Sequence, residues 1–270
     1  PWQDEKHQEI AGIIEDIAKK QRVYKQVQSK YPDQPDSITY YLNKPHKVKL
    51  FDYEKGEIEM EMSTMDSIRY MVRFMHCAFV AMEPQTAHVK AWVGDIDFNH
   101  WKYDKVTAQR QPGSTFKLFV YTEAMEQGLT PCDKRRDEYF SMKVWDATKK
   151  QEVTWAPTNA NGTFSNDSMP LRAAFARSIN SVAVRLGQEM GIKNIIETAH
   201  VMGIKSPLDE APALALGSSD VNLLEMANAY STVANDGKAH PEAILVTKIL
   251  DREGNEIYVA PSEQKQAIPY

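Results

Sequence analysis

The 270-residue chain has little of what marks a specialised site. It contains only two cysteines, Cys77 and Cys132, too few for a disulfide scaffold and compatible with one bridge or none. Cysteine usage therefore leaves the compartment open. No Cys-x-x-Cys occurs, and the seven histidines (7, 46, 76, 88, 100, 200 and 240) never fall at His-x-x-x-His or His-x-His spacing, so no metal centre is expected. Neither Gly-x-Gly-x-x-Gly nor the Gly-x-x-x-x-Gly-Lys phosphate loop is present, so no nucleotide is implied and no cofactor is expected. Positive charge is in deficit: 32 Lys and Arg against 37 Asp and Glu leave −5, which gives no field to draw in nucleic acid or an anionic membrane. The longest unbroken apolar run, Cys77-Ala-Phe-Val-Ala-Met82, is six residues, against roughly 20 for a bilayer span. No anchor or signal peptide is expected within these residues.

What is present is globular in composition, 42% hydrophobic and 26% charged in 30.7 kDa, enough for one large domain with or without a smaller attachment. Ile10, Ile13, Ile14 and Ile17, followed by Tyr24 and Val27, predict an amphipathic helix within residues 1–30. Alternation around Glu54-Lys-Gly56 predicts a hairpin of 47–53 with 58–62, and 77–83 with 88–94 predict a second around Pro84 to Ala87. The stripe of Met60, Met62, Met65, Met71 and Met75 reads as core filling. From 114 to about 236 the period is helical, with segments at 114–127, 170–177, 180–190, 193–202 and 221–234, most of them closed by Gly. Between the first two, 131–168 shows no clear period and reads as a long irregular connection, a place where function concentrates. A third hairpin is expected from 243–250 and 256–259. Strands, a helical block and strands again give an α+β order.

One spacing carries chemistry. Ser114-Thr-Phe-Lys117 places a hydroxyl and an amine three residues apart at a helix start, where they are neighbours. Spacing alone is weak, since Ser262-Glu-Gln-Lys265 repeats it with nothing around it. On that ground an N-capping Ser114 and a solvated Lys117 are the commoner outcome. Context separates the two. Pro112-Gly113 is a sharp turn, so free N–H groups at the helix start favour an oxyanion near Ser114. Phe116 and Phe119 flank Lys117 and should desolvate its ammonium, leaving a neutral amine able to take the serine proton. Ser178-Ile-Asn180 is the second short motif, and its residues also suit helix ends and caps.

Arg110-Gln-Pro-Gly-Ser-Thr-Phe-Lys117 resembles the nucleophile motif of penicillin-binding transpeptidases, the class A bifunctional kind above all. Trp155-Ala-Pro-Thr-Asn159 with Gly162, then Leu171-Arg-Ala-Ala and Arg177-Ser-Ile-Asn-Ser-Val-Ala183, resembles the setting of that family's Ser-x-Asn motif. Leu214-Ala-Leu-Gly217 and Leu224-Glu-Met-Ala-Asn-Ala-Tyr230 resemble the segment that follows it. The likeness covers about 65–260; residues 1–64 are similar to the connector that precedes the transpeptidase domain, so 65–270 is expected to be a partial domain of that fold. No Lys-Thr-Gly occurs in the chain, and the resemblance implies that this strand and the last helix would follow Tyr270.

The resemblance implies acyl transfer. Lys117 takes the proton of Ser114, which attacks the carbonyl between the terminal D-alanines of a peptidoglycan stem peptide; Ser178 passes a proton to the leaving amine, and Asn180 holds the substrate amide and Lys117. It also implies covalent trapping of β-lactams, an N-terminal glycosyltransferase half, an anchor preceding this chain as its only link to the membrane, and a place in the cell envelope on the outer face of the cytoplasmic membrane. Two other readings stay open: a non-catalytic module of the same fold that binds peptidoglycan or a partner, and a carboxypeptidase or β-lactamase type of hydrolase.

Overall fold

The computed structural model describes Gln3, Gln8, Ile10, residues 12–146 and residues 149–269. The chain divides into two compact units, Pro1–Cys77 with Asp95–Lys102, and Ala78–Gly94 with Tyr103–Tyr270.

The first unit contains α1 (Ile13–Lys20), α2 (Arg22–Lys30), α3 (Pro35–Asn43), the hairpin of β1 (His46–Asp52) and β2 (Gly56–Met62), and α4 (Thr64–Met71). The single amphipathic helix expected in 1–30 is two, because Gln21 is extended (φ −69°, ψ 148°). The halves serve different partners, α1 packing on α4 and α2 on α3. Ile14, Ala18, Leu42, Met65 and Ile68 form their core; the part of the expected helix before Gly12 falls largely outside the described residues. Ser63 caps α4 by accepting the Asp66 N–H at 3.1 Å. The methionine stripe is not a core: Met65 is buried, but Met60 is 43% and Met75 85% exposed, since Met60 lies on an open hairpin opposite Val48. The break between the units falls after Cys77 and leaves α4 with the helices before it.

The second unit opens with β3 (Phe79–Met82) and β4 (Val89–Val93), antiparallel as expected. A 3-10 turn, Gly113–Phe116, then runs into α5 (Lys117–Glu126). The segment 131–168 is more regular than its sequence suggests. It holds β5 (Lys134–Arg136), β6 (Met142–Asp146) and β7 (Gln151–Trp155), and β8 (Ser168–Pro170) closes it by pairing with β5 while β6 pairs with β7. Next come α6 (Leu171–Ala176), α7 (Asn180–Met190), α8 (Ile192–Met202), a 3-10 stretch at Pro212–Leu216, and α9 (Leu223–Ala234). The short β9 (Lys238–Ala239), β10 (Lys248–Leu250), β11 (Glu256–Val259) and β12 (Lys265–Gln266) end the described chain, pairing β9 with β12 and β10 with β11. All six strand pairs among the described residues are antiparallel, an isolated parallel bridge joins His88 to Ile244, and the architecture is α+β.

The core of this unit is built around α5. Phe116, Phe119, Val120 and Ala124 are fully buried against Val182 and Leu186 of α7 and Ile195 and Ala199 of α8. Burying one such phenylalanine contributes about 2 to 3 kcal/mol. A helix wrapped on so many sides carries its polar residues inward too, and Lys117 goes with it.

Candidate active site

Ser114 stands in the 3-10 turn and is exposed. It does not cap α5; the hydroxyl that closes on the turn is Thr115 Oγ1, donating to Pro112 O at 2.8 Å. With three residues per turn, side chains at i and i+3 eclipse, so the 3-10 start puts Ser114 and Lys117 on one edge more strictly than an α-helix does. The turn is anchored from below. Gly113 N–H donates to Gly217 O at 3.3 Å, Arg110 and Val221 exchange two backbone bonds of 2.9 Å, and Tyr230 Oη donates to Thr115 O at 2.9 Å. Gly217 has φ +74°, and a Cβ there would lie 2.2 Å from Gly113 O, so only glycine lets these two backbones touch.

Lys117 is 1% exposed. Its Nζ donates to Ser178 O at 2.7 Å, Ser178 Oγ at 3.0 Å and Asn180 Oδ1 at 2.6 Å. All three acceptors are neutral, so no carboxylate in direct contact offsets the loss of water. Burial lowers its pKa from 10.5 to about 8. At neutral pH roughly a tenth of the molecules then hold the neutral amine, against a few in ten thousand for an ordinary lysine.

The backbone that carries Ser178 is strained to bring it there. Helix α6 ends with Ser178 N–H on Phe175 O (2.9 Å) and Ile179 N–H on Ala174 O (3.0 Å), a Schellman closure whose left-handed position normally belongs to glycine. Ser178 occupies it at φ +55°, at a cost of about 1 to 2 kcal/mol. In exchange the Ser178 hydroxyl meets Lys117 Nζ, a contact that a glycine at this position could not make.

Residues 77–268 match the profile of the penicillin binding protein transpeptidase domain, and 1–75 that of the penicillin-binding protein middle domain. The chain belongs to the penicillin-binding protein transpeptidase family. It is 35% identical over 191 residues to penicillin-binding protein 2D of Bacillus subtilis, covering 70% of this chain and 27% of that one. With penicillin-binding protein 1A of Rickettsia prowazekii it shares 36% over 182 residues, 67% of this chain and 22% of that one. The chain thus spans about a quarter of the length of these relatives. Among solved structures, penicillin-binding protein 1A of Haemophilus influenzae superposes with a TM-score of 0.63 at 25% identity over 80% of this chain and 30% of that one. PonA1 of Mycobacterium tuberculosis in complex with penicillin V is alike in fold, with a TM-score of 0.60 at 21% identity over 96% of this chain and 67% of that one.

Of the four residues that the penicillin-binding protein motifs pick out, the structure joins Lys117, Ser178 and Asn180 by hydrogen bonds and leaves Ser114 at the open edge of the turn. Asn159, marked in the sequence only as part of a motif's setting, and Asp137, for which the sequence carries no signal, are both buried and joined by hydrogen bonds to the start of the helix at Asn180. Ser262 sits exposed near the C-terminal strands. Among the described residues, no group of His, Cys, Asp or Glu could hold a metal ion, both cysteines are free thiols, and no helix is long and apolar enough to cross a membrane.

Proposed function

We propose that this chain carries the acylation centre of a serine transpeptidase acting on D-Ala-D-Ala stem peptides of peptidoglycan, and that β-lactams acylate the same serine. The observation that carries this reading is the buried Lys117 amine, held by Ser178 and Asn180 one helical turn after an exposed serine. Lys117 in its neutral form accepts the proton of Ser114 as the hydroxyl attacks the scissile carbonyl. The tetrahedral oxyanion is met by the Ser114 N–H at the start of the turn. Its collapse expels the terminal D-alanine, whose nitrogen takes a proton through Ser178, and the Asn180 amide holds the substrate. The acyl-serine then passes to an amine of a second stem peptide, or to water.

A Lys-Thr-Gly strand, absent from these residues, supplies the second oxyanion donor and a cradle for the substrate carboxylate. Without it the 270 residues acylate about 10²- to 10³-fold more slowly than a form that carries it. The middle-domain unit links this centre to a glycosyltransferase half and a membrane anchor, placing it at the outer face of the cytoplasmic membrane.

The test is mass gain on a β-lactam, with and without a C-terminal extension through a Lys-Thr-Gly strand. Ser114→Ala should abolish the adduct and Ser262→Ala should leave it intact. An adduct that survives Ser114→Ala would end the assignment. No adduct in either form favours the non-catalytic module, and free hydrolysed stem peptide in place of cross-linked dimer favours the hydrolase.

A further inference from the structure

Helix α7 begins at Asn180 with an isoleucine, Ile179, at its N-cap position, and no side chain of its own caps it. The first N–H groups of a helix need acceptors, and here they come from another loop. Asn159 Oδ1 accepts Asn180 N–H at 2.9 Å and Ser181 N–H at 3.2 Å. Asn159 could present either end of its amide, and the structure shows what decides: its Nδ2 donates to Asp137 Oδ1 at 2.7 Å and to Thr163 O at 2.9 Å, so both hydrogens are spent on the far side. Asp137 is 3% exposed. Its carboxylate also accepts Ser181 Oγ at 2.7 Å and Ser165 N–H at 2.9 Å. Desolvation raises its pKa, and these hydrogen bonds outweigh that and hold it below the ordinary value. The neighbouring Thr158 O accepts Asn180 Nδ2 at 2.8 Å, which turns Asn180 Oδ1 toward Lys117 Nζ.

From this geometry we infer that Asn159, oriented by the buried Asp137 carboxylate, is a positioning residue for the acylation step: it fixes the start of α7, and through Asn180 it sets where the Lys117 amine sits. The inference rests on the acyl-transfer reading. Asn159 touches neither Lys117 nor Ser114 by any hydrogen bond among those described, so its effect passes through the Asn180 backbone. Misplacing a reacting group by about 1 Å costs about 10²-fold.

The test uses the 270-residue chain, following mass gain on a β-lactam over a concentration series that separates the acylation rate constant from the binding constant, with thermal unfolding of each variant. Asn159→Ala should lower the rate constant about 10²-fold and leave the binding constant within about threefold. Asn159→Asp sets two carboxylates against each other and should lose as much. The exchange Asp137→Asn with Asn159→Asp rebuilds one carboxylate–amide pair, keeps acceptors toward α7 and should recover the rate to within about tenfold of the parent. A folded Asn159→Ala with an unchanged rate constant, or a folded exchange variant no better than Asn159→Asp, overturns the proposal. If Asn159→Ala does not fold, the comparison of Asn159→Asp with the exchange variant decides. The NMR resonance of the Lys117 ε-carbon, read on the same samples, needs no acylation. It should move in Asn159→Ala and return in the exchange variant. An unmoved resonance overturns the positioning role even in a protein that no β-lactam acylates, whereas a moving resonance in a parent that gains no adduct even when extended through a Lys-Thr-Gly strand overturns only the acyl-transfer reading.

Discussion

Replacing Lys117 by methionine keeps most of the stem and removes the charge, and its effect on stability should reverse with pH. Burial takes the lysine from 10.5 to about 8 in the folded chain. Between those values the unfolded chain binds the extra proton and the folded one does not, so the stability of the parent climbs with pH across that window. The full gap corresponds to about 3 kcal/mol, of which about 2.5 kcal/mol is recovered between about pH 7 and pH 10. Methionine escapes this penalty but abandons three acceptors, Ser178 O, Ser178 Oγ and Asn180 Oδ1, at about 1 kcal/mol each where they stay unpartnered. The two terms nearly cancel at neutral pH, where the variant should lie within about 1 kcal/mol of the parent while taking up no β-lactam. Near pH 10 it should be the less stable by about 2 to 3 kcal/mol. Urea unfolding of both proteins across this range measures the gap, and other titrating groups drop out of the difference. A gap constant to within about 0.5 kcal/mol would mean that the amine is not desolvated.

Ser178→Gly relieves the left-handed strain at φ +55° and loses one hydrogen bond; it should stabilise the chain by about 0.5 to 1 kcal/mol in thermal unfolding while acylation falls. Gly217→Ala drives a methyl group into the Gly113 backbone and should cost more than about 2 kcal/mol and slow acylation at least tenfold, since the turn carrying Ser114 must shift; a neutral result would mean that the turn is not seated on Gly217. Glu126 is raised by burial first and by the Glu123 charge second, against a hydrogen bond from Thr198. Its folded pKa lies above the unfolded one, so its contribution is complete below the ordinary value of 4.5 and lost as pH rises through the folded value. Glu126→Gln should therefore raise stability at neutral pH by a few tenths of a kcal/mol, the group being exposed, and the gain should vanish near pH 4; a gain that persists in acid would point to packing.

The burial of Lys117 was legible because Phe116 and Phe119, which neighbour it in sequence, are fully buried, although the acceptors of its amine lie 61 and 63 residues away. Ser178 and Asn180 were legible through their flanks, not their spacing. Asn159 and Asp137 were not, because the first caps a helix that begins 21 residues later and the second is joined to Ser181 across 44 residues. Nothing in a local pattern marks a cap supplied from so far away. Periodicity reports burial, and the hairpin of β6 and β7 buries little: Lys143 and Trp145 are both exposed, so 131–168 showed no period although it forms ladders. The break at Gln21 follows from which helices α1 and α2 pack against, a choice invisible in the stripe of isoleucines.

The three acceptors around Lys117 Nζ differ in one respect. The Ser178 carbonyl can only accept, and the Asn180 amide oxygen is committed because its nitrogen faces Thr158 O. Only the Ser178 hydroxyl can do either. An ammonium has a hydrogen for each acceptor; a free amine has one hydrogen fewer and a lone pair in its place. When Lys117 loses its proton, the bond that reverses is the one to Ser178, whose hydroxyl hydrogen swings round to the amine. In that arrangement the lone pair of the amine is occupied by its own neighbour, and under the acyl-transfer reading proposed above Ser114 would reach it once that hydroxyl rotates away. Under that reading a single C–O torsion of Ser178 would control the nucleophile's activation, and a substrate group that draws the Ser178 hydroxyl toward itself would free the amine.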